Sequence, residues 1–173
     1  MKCSMKANTC LFHFSQFSIL CLLISGVVWV TGCTTPGSSI EVKQAPAESL
    51  ARYKIVEVDV TNRDADFSPG DVFFLSNSLV DGLRKSGRFD KVYDSSSSAK
   101  HDADLKVSVL VEFVLLYNVQ SIESSITLTD AADGKTLGTA FVKAHSESAF
   151  LGGQMTNAIN ELSSQVVDFA TQH

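Results

Sequence analysis

The chain has 173 residues, of which 45% are hydrophobic and 19% are charged, and its formal net charge is −5. This length suits one domain of ordinary size, and the composition is too apolar for a disordered chain and too charged for a polytopic membrane protein. The negative charge argues against nucleic acid as the main partner. All four cysteines lie in the first 33 residues, which excludes a disulfide framework or a cysteine metal site in the main domain.

The amino terminus has the pattern of an export signal. Lys2 and Lys6 form a basic start, and residues 11–30 are mostly apolar, with an uninterrupted core only over Ile19–Ile24. A membrane-spanning helix needs about 20 predominantly apolar residues, whereas a signal peptide needs an apolar segment of about 7–15 residues followed by small residues. We therefore predict a signal peptide over residues 1–32.

The sequence Val30-Thr31-Gly32-Cys33 at the end of this segment resembles the bacterial lipobox, in which an aliphatic residue and two small residues precede a cysteine. The resemblance implies that the Cys33 sulfur receives a diacylglycerol, that the signal is cut off before it, and that the new amine is acylated, for example with palmitate. In enteric lipoproteins an aspartate after the cysteine is similar to an inner-membrane retention signal. Thr34 stands there instead, which implies delivery to the outer membrane. An ordinary signal with an incidental cysteine is the alternative, and a start at Met5 changes neither interpretation.

Lipid, and not charge, is predicted to hold the mature chain at the membrane. Loss of Lys2 and Lys6 with the signal brings the net charge to −7 for residues 33–173. An acidic body is repelled by an anionic lipid surface. One acyl chain binds only marginally, at about 0.8 kcal/mol per buried methylene, so several chains on Cys33 are needed for a stable anchor.

Residues 33–49 are predicted to form a flexible, lipidated tether. They include Pro36, Gly37 and Pro46 and show no apolar periodicity, a composition that stays flexible. The remaining residues, 50–173, are predicted to form a single domain.

The domain begins with a strand and a helix. Valine and acidic residues alternate over Tyr53–Val60, the period of a half-buried strand. Ser68, Pro69 and Asp71 then match a helix cap, a proline at the first helical position and a capping-box acid. Gly87 is the predicted carboxyl-terminal cap.

The later elements complete the predicted order β-α-β-β-β-β-α. They are strands at Phe89–Tyr93, Asp104–Tyr117, Ile122–Thr129 and Thr136–Ser146, and a helix at Gln154–Ala170. Apolar residues on both parities place the strand at 104–117 in the centre of the sheet, and Asp133-Gly134 predicts a tight turn. The order predicts an α+β fold, a two-layer sandwich with a mainly antiparallel sheet and both helices on one face.

Several segments carry a resemblance to a known family. They are the lipobox, the tether, Tyr53–Val58, Leu83–Phe89, Asp102–Leu105 and Asp130–Gly138. Together they resemble a family of small bacterial lipoproteins that carry a domain of unknown function. The element order is also similar to the amino-terminal domain of the TolB family. Lipoproteins that serve secretion or activate peptidoglycan synthases use related folds, but a shared fold transfers no activity.

The sequence contains few patterns typical of an enzyme active site. His101 and His145 are separated by about 44 residues without a zinc-protease arrangement, and there is neither a nucleophile elbow nor a phosphate-binding loop. Acylation of Cys33 would remove the last thiol. We therefore predict no catalytic, cofactor-binding or metal-ligating residue and no cofactor, and we keep a hydrolase or metal enzyme as a minor alternative.

Three further features each have a structural and a functional interpretation. Glu112, inside an apolar strand, is either a buried carboxylate with a raised pKa or, as we favour, a side chain that meets water or a cation. Asp64, Asp66 and Asp71 do not match a calcium loop, and we favour a solvated loop and helix cap. The loop 149–153 is either a docking loop or, as we favour, a tight reversal.

These observations predict a non-enzymatic, membrane-anchored module that faces the periplasm from the outer membrane and binds an envelope protein or a cell-wall component. The alternative is a structural or assembly subunit of an envelope or secretion complex, docked through a sheet edge. The predicted partners of the protein are the membrane, through lipid on Cys33, and an envelope protein or cell-wall component. Nucleic acid is not among the predicted partners. The sequence leaves the oligomeric state open.

Overall fold

The computed structural model describes residues 37–46, 49–97, 102–116, 119–147 and 154–171. The predicted signal peptide, Cys33, His101 and the loop 149–153 lie outside these ranges. In chain order the described elements are β1 (Gly37–Gln44), a 3-10 turn (Leu50–Arg52), β2 (Ile55–Asn62), α1 (Pro69–Lys85), β3 (Lys91–Asp94), β4 (Leu105–Leu116), β5 (Val119–Asp130), β6 (Thr136–Glu147) and α2 (Gln154–Thr171). The predicted α+β class and the order β-α-β-β-β-β-α are confirmed, with one additional strand at the start.

The six strands form one mixed sheet in the order β1-β6-β5-β4-β2-β3. Strands β1, β6, β5 and β4 pair antiparallel, whereas β2 is parallel to both β4 and β3. We call the end of the sheet where β1 begins and β6 ends the upper end. The lower end is the one where β4 begins and β5 ends.

Both helices cover the same face of the sheet. Helix α1 packs on β2 and β3, helix α2 packs on β5 and β6, and the two helices contact each other. The inner face beneath them is built from aligned apolar rows, because residues that pair across strands point to the same side. One such row is Val58, Val107 and Leu128, all of which are fully buried. Neither described helix is long and apolar enough to cross a membrane.

Local sequence signals account for both ends of α1. The Ser68 hydroxyl accepts a hydrogen bond from the Asp71 backbone N–H at 3.2 Å, and the Asp71 carboxylate accepts one from the Ser68 N–H at 3.0 Å. This reciprocal capping box satisfies backbone groups that a helix end leaves without partners. Gly87 follows the helix with a φ of 66°, the left-handed conformation that glycine adopts without a steric penalty.

Strand β4 contains a bulge that the sequence pattern does not reveal. Val111 pairs with Ser124, but the next pair is Phe113 with Glu123, so Glu112 is an extra residue. The bulge shifts the alternation by one position and returns Val114 to the inner face, where it is 4% exposed. Apolar residues occur at both odd and even positions of β4 because the bulge changes which positions face the helices. They do not mean that both faces are covered, since both described helices pack on the inner face. Central placement of the strand, between β5 and β2, is nevertheless correct.

The predicted flexible tether over 33–49 is wrong for residues 37–44, which form the edge strand β1 along β6. Backbone pairing runs from Gly37 opposite His145 to Gln44 opposite Thr139. The Ser38 hydroxyl donates a hydrogen bond to the Glu161 carboxylate on α2 and accepts one from the Gln165 amide at 2.8 Å. The absence of apolar periodicity suggested a loop. Strand β1 is held instead by main-chain pairing with β6 and by this polar contact with α2.

We expect Leu162→Ala to destabilise the domain by about 2–5 kcal/mol, the usual range for truncation of a large buried side chain. Leu162 is fully buried between α2 and the sheet. The measurement is urea denaturation of the purified protein, with Asn160→Ala on the exposed side of α2 as the control. Equal denaturation midpoints for the two variants would show that the α2 stripe does not pack as the structure has it.

Candidate binding site

A polar cluster joins two distant segments at the lower end of the sheet. Tyr53 follows the 3-10 turn, which the Ser49 hydroxyl caps by accepting a hydrogen bond from the Ala51 N–H at 3.2 Å. Asp130 is the last residue of β5, which pairs with the start of β4. The turn and the sheet register thus bring together side chains that lie 77 residues apart in sequence.

Asp130 is the centre of this cluster. Its Oδ2 accepts a hydrogen bond from the Tyr53 hydroxyl at 2.8 Å and lies 3.1 Å from Nη2 of Arg52. The Arg52 guanidinium also donates to the Tyr53 oxygen at 2.7 Å and lies 4.9 Å from the ring centroid, a cation–π distance. Tyr53 is only 3% exposed, so the cluster closes over its ring.

The charges in the cluster shift two pKa values in opposite directions. The hydrogen bond from Tyr53 holds the pKa of Asp130 below its ordinary value, assisted by the Ala132 N–H and by the positive charge of Arg52. Burial raises the pKa of Tyr53, and the neighbouring Asp130 carboxylate adds to this shift although Arg52 opposes it. At neutral pH the cluster therefore consists of a carboxylate, a neutral phenol and a guanidinium.

A second carboxylate ties the start of β4 to the start of β2. Oδ2 of Asp104 accepts hydrogen bonds from the backbone N–H groups of Lys54 and Ile55, both at 3.1 Å. The Asp104 carbonyl accepts a hydrogen bond from the Ala131 N–H at 3.0 Å, which connects β4 to the turn after β5. In that turn Gly134 has a φ of 73°, consistent with the predicted Asp133-Gly134 reversal.

An open cleft of about 430 Å³ lies beside the cluster. Its polar lining consists of Glu57, Asp102, Lys106, Thr129 and Asp130. The Lys106 ammonium lies 2.8 Å from the Asp59 carboxylate and 4.0 Å from that of Glu57. Because three carboxylates and one lysine line the cleft, its chemistry suits a ligand that offers cationic or hydroxyl groups.

The residues singled out from sequence fall elsewhere and have structural partners. Glu112 is exposed and accepts a hydrogen bond from the Ser125 hydroxyl, so the predicted solvent-facing position is confirmed. Asp64 accepts hydrogen bonds from the N–H groups of Val114 and Asp66, both at 2.9 Å. With Asp71 in the capping box, the acidic cluster orders a loop and a helix start, as favoured.

No group of three or more His, Cys, Asp or Glu side chains in the described ranges is arranged to hold a metal ion. His145 lies on β6 with its ring against Gly37, where it packs over the start of β1. A second cavity of about 250 Å³ lies between α1 and the end of β3 and includes Val60, Phe73 and Asp94. Burial opposes ionisation of Asp94, but hydrogen bonds from Ser76 and Ser96 outweigh it, and the net effect is a lowered pKa.

Comparisons with known proteins identify the fold. PelC from Paraburkholderia phytofirmans, solved as a dodecamer, matches with a TM-score of 0.60 and 16% identity over 78% of this chain and 98% of PelC. Protein XCC0632 from Xanthomonas campestris, a DUF330 protein, matches with a TM-score of 0.53 and 14% identity over 78% of this chain and 90% of its own. No family model and no curated protein matches the sequence.

Lipoprotein GNA1162 from Neisseria meningitidis matches more weakly, with a TM-score of 0.42 and 11% identity over 66% of this chain and 99% of its own. At 14–16% identity, the likenesses to PelC and XCC0632 show a shared fold. The similarity to the TolB amino-terminal domain stays a prediction.

We expect Asp130→Asn to lower the stability of the protein at neutral pH, because the amide loses the charge that Arg52 and Tyr53 stabilise. A lowered folded-state pKa contributes stability that is present above the unfolded value, near 4, and is lost as the pH falls through the folded value. Urea midpoints of parent and variant should therefore differ at pH 7 and converge at lower pH.

The control is Asp102→Asn, which removes one charge from the same cleft without touching the Tyr53 cluster. A difference in urea midpoint between Asp130→Asn and the parent that stays constant down to pH 2 would contradict the stabilising role of the charge.

Proposed function

We propose that this protein is a lipid-anchored bacterial envelope protein that acts by binding. The signal over 1–32 is removed, Cys33 is acylated, and the domain faces the periplasm from the outer membrane. The observation that carries the proposal is Val30-Thr31-Gly32-Cys33 at the end of an apolar segment, four residues ahead of the first strand of a folded domain.

The lower end supports a binding role and indicates the chemistry of the partner. Asp130 is engaged by Arg52 and Tyr53, which fixes one wall of the cleft. The adjoining carboxylates of Glu57 and Asp102 present acceptors to solvent over about 430 Å³. Hydroxyl-rich cell-wall glycan and basic protein segments both satisfy such acceptors. We infer that a cell-wall or envelope component docks here, without a cofactor and without nucleic acid.

A second function, as a subunit of an envelope or secretion complex, is supported by the edge of β1. In the described residues β1 pairs only with β6, so its other edge is open for pairing. Ile40 and Val42 on this strand are 36% and 47% exposed. The PelC protein, which shares the fold, was solved as a dodecamer. Self-assembly through β1 is the form of this alternative that the structure favours.

We expect Cys33→Ala to abolish incorporation of labelled palmitate and to leave the precursor uncleaved, because the variant lacks the thiol that accepts the diacylglycerol. The measurement is palmitate labelling in a bacterial host followed by intact mass. Cys21→Ala, a change within the signal itself, is the matched control and should label like the parent. Labelling of Cys33→Ala at the level of the control would refute the anchor.

For the subunit alternative, Val42→Lys should reduce the share of protein recovered in crosslinked, detergent-solubilised oligomers, because a lysine blocks apolar edge contacts. Lys43→Gln removes a charge from the same strand while it leaves Val42 in place, and it serves as the control. If the parent protein is monomeric after crosslinking in the native cell, self-assembly is excluded and the binding module remains.

A further inference from the structure

Three exposed phenylalanines have no apolar neighbours sufficient to bury them. Phe73, Phe74 and Phe113 are 68%, 39% and 47% exposed. Aromatic side chains usually dominate cores and interfaces because they remove about 150–250 Å² each from water. Exposed aromatic side chains of this size are suited to contact with an apolar environment.

The sheet register places Phe113 at the same height along the sheet as the start of β1, three strands away from it. Phe113 pairs with Glu123, which pairs with Lys143, which in turn pairs with Ser39, two residues after Gly37. Phe113 therefore lies on the uncovered face of the sheet in its upper half.

The other two phenylalanines lie on the opposite side of the same half. Phe73 and Phe74 belong to the first turns of α1, on the helix-covered face of the sheet. The loop that leads into α1 is fastened to β4 through the 2.9 Å hydrogen bond from the Val114 N–H to Asp64. The three aromatic side chains therefore flank both faces of the sheet in its upper half, and we call them the aromatic rim.

The length of chain between the anchor and the sheet decides what this rim meets. Four residue steps separate Cys33 from Gly37, and a fully extended chain covers at most about 14 Å in four steps. Gly37 lies opposite His145, nine residues along β6 from Thr136, which is about 30 Å at the rise of a strand. An acylated Cys33 therefore holds the upper end at the bilayer and cannot reach the lower end.

Both ends of the sheet carry charged groups, and the exposed aromatic side chains distinguish them. Arg52, Asp104 and Asp130 lie at the lower end, together with the charged cleft. The acidic loop of Asp64 and Asp66 lies at the upper end, beside α1 with its exposed Phe73 and Phe74. Aromatic rings are favourable at the level of the headgroups, where charged side chains of the protein can stay in water.

We propose that the upper end of the domain rests on the bilayer and that Phe73, Phe74 and Phe113 contact lipid at its interface. This contact rests on the proposed acylation of Cys33. The lipid chains supply attachment, and the aromatic rim fixes the orientation of the domain. The cleft at the lower end then points away from the membrane and lies about 30 Å along the strands from Gly37.

The test uses the full-length, lipidated protein in vesicles of phosphatidylethanolamine and phosphatidylglycerol. Removal of the signal takes Cys3, Cys10 and Cys21 with it, and acylation blocks Cys33, so an introduced cysteine is the one free thiol. Phe73→Cys and Phe113→Cys carry a fluorophore at the rim, and Ala132→Cys carries it at the exposed lower-end turn as the control.

Lipid contact predicts that nitroxide-labelled lipids quench the fluorophores at 73 and 113 severalfold more strongly than the fluorophore at 132. Iodide in solution should show the reverse order. Equal quenching by iodide at all three positions, in protein whose mass shows the acyl chains, would overturn the lipid contact alone. Shielding of position 73 from both quenchers would also overturn it, because another protein copy would then cover the rim.

The same samples separate failure of the contact from failure of the anchor. A mass without acyl chains, together with fluorophore attached at Cys33, would overturn the proposed lipoprotein and the contact that depends on it. Thermal unfolding by circular dichroism verifies that each cysteine variant is folded, which is expected because positions 73, 113 and 132 are exposed.

Discussion

Strand β4 keeps its apolar side chains under the helices from Leu105 to Val114 only because Glu112 is inserted in the ladder. Below the bulge Val107, Val109 and Val111 face the helices, and above it Val114 does so. Without the bulge, Phe113 and Leu115 would face the helices in place of Val114, since a shift of one residue exchanges the two faces of a strand. The Val114 N–H just above the bulge is bonded to Asp64, so the same device positions the loop that starts α1.

Local signals made much of the fold predictable, and non-local pairing made the rest unpredictable. The capping box of Ser68 and Asp71 acts within four residues, so α1 was predicted correctly from sequence. Strand β1 was missed because its partner, β6, is about a hundred residues away and supplies main-chain hydrogen bonds that leave no apolar period. The bulge at Glu112 was missed because the inward-facing positions change there from odd to even numbers. In the sequence this gives the same pattern as a strand that is buried on both faces.

The lower-end cluster was visible in the sequence only as separate pieces. Tyr53 and Asp130 each lie in segments that carried the family resemblance, but nothing in the sequence joins residues 77 positions apart. Their contact depends on the 3-10 turn that aims Tyr53 and on the register that ends β5 beside the start of β4. The pKa shifts of Tyr53 and Asp130 follow from this contact and have no sequence signature of their own.

Pairing of β1 along β6 also has a mechanical consequence. A load applied through the residues that precede β1 enters the sheet at Gly37 and acts along the strand axis. In this direction the hydrogen bonds between β1 and β6 share the load in parallel, as in shear, and must fail together. The opposite direction of entry, at Gln44, would also load them in shear, whereas a pull across the sheet would open them one at a time. Resistance of the domain to a pull on this end of β1 is therefore set by the rate at which the whole strand slides free.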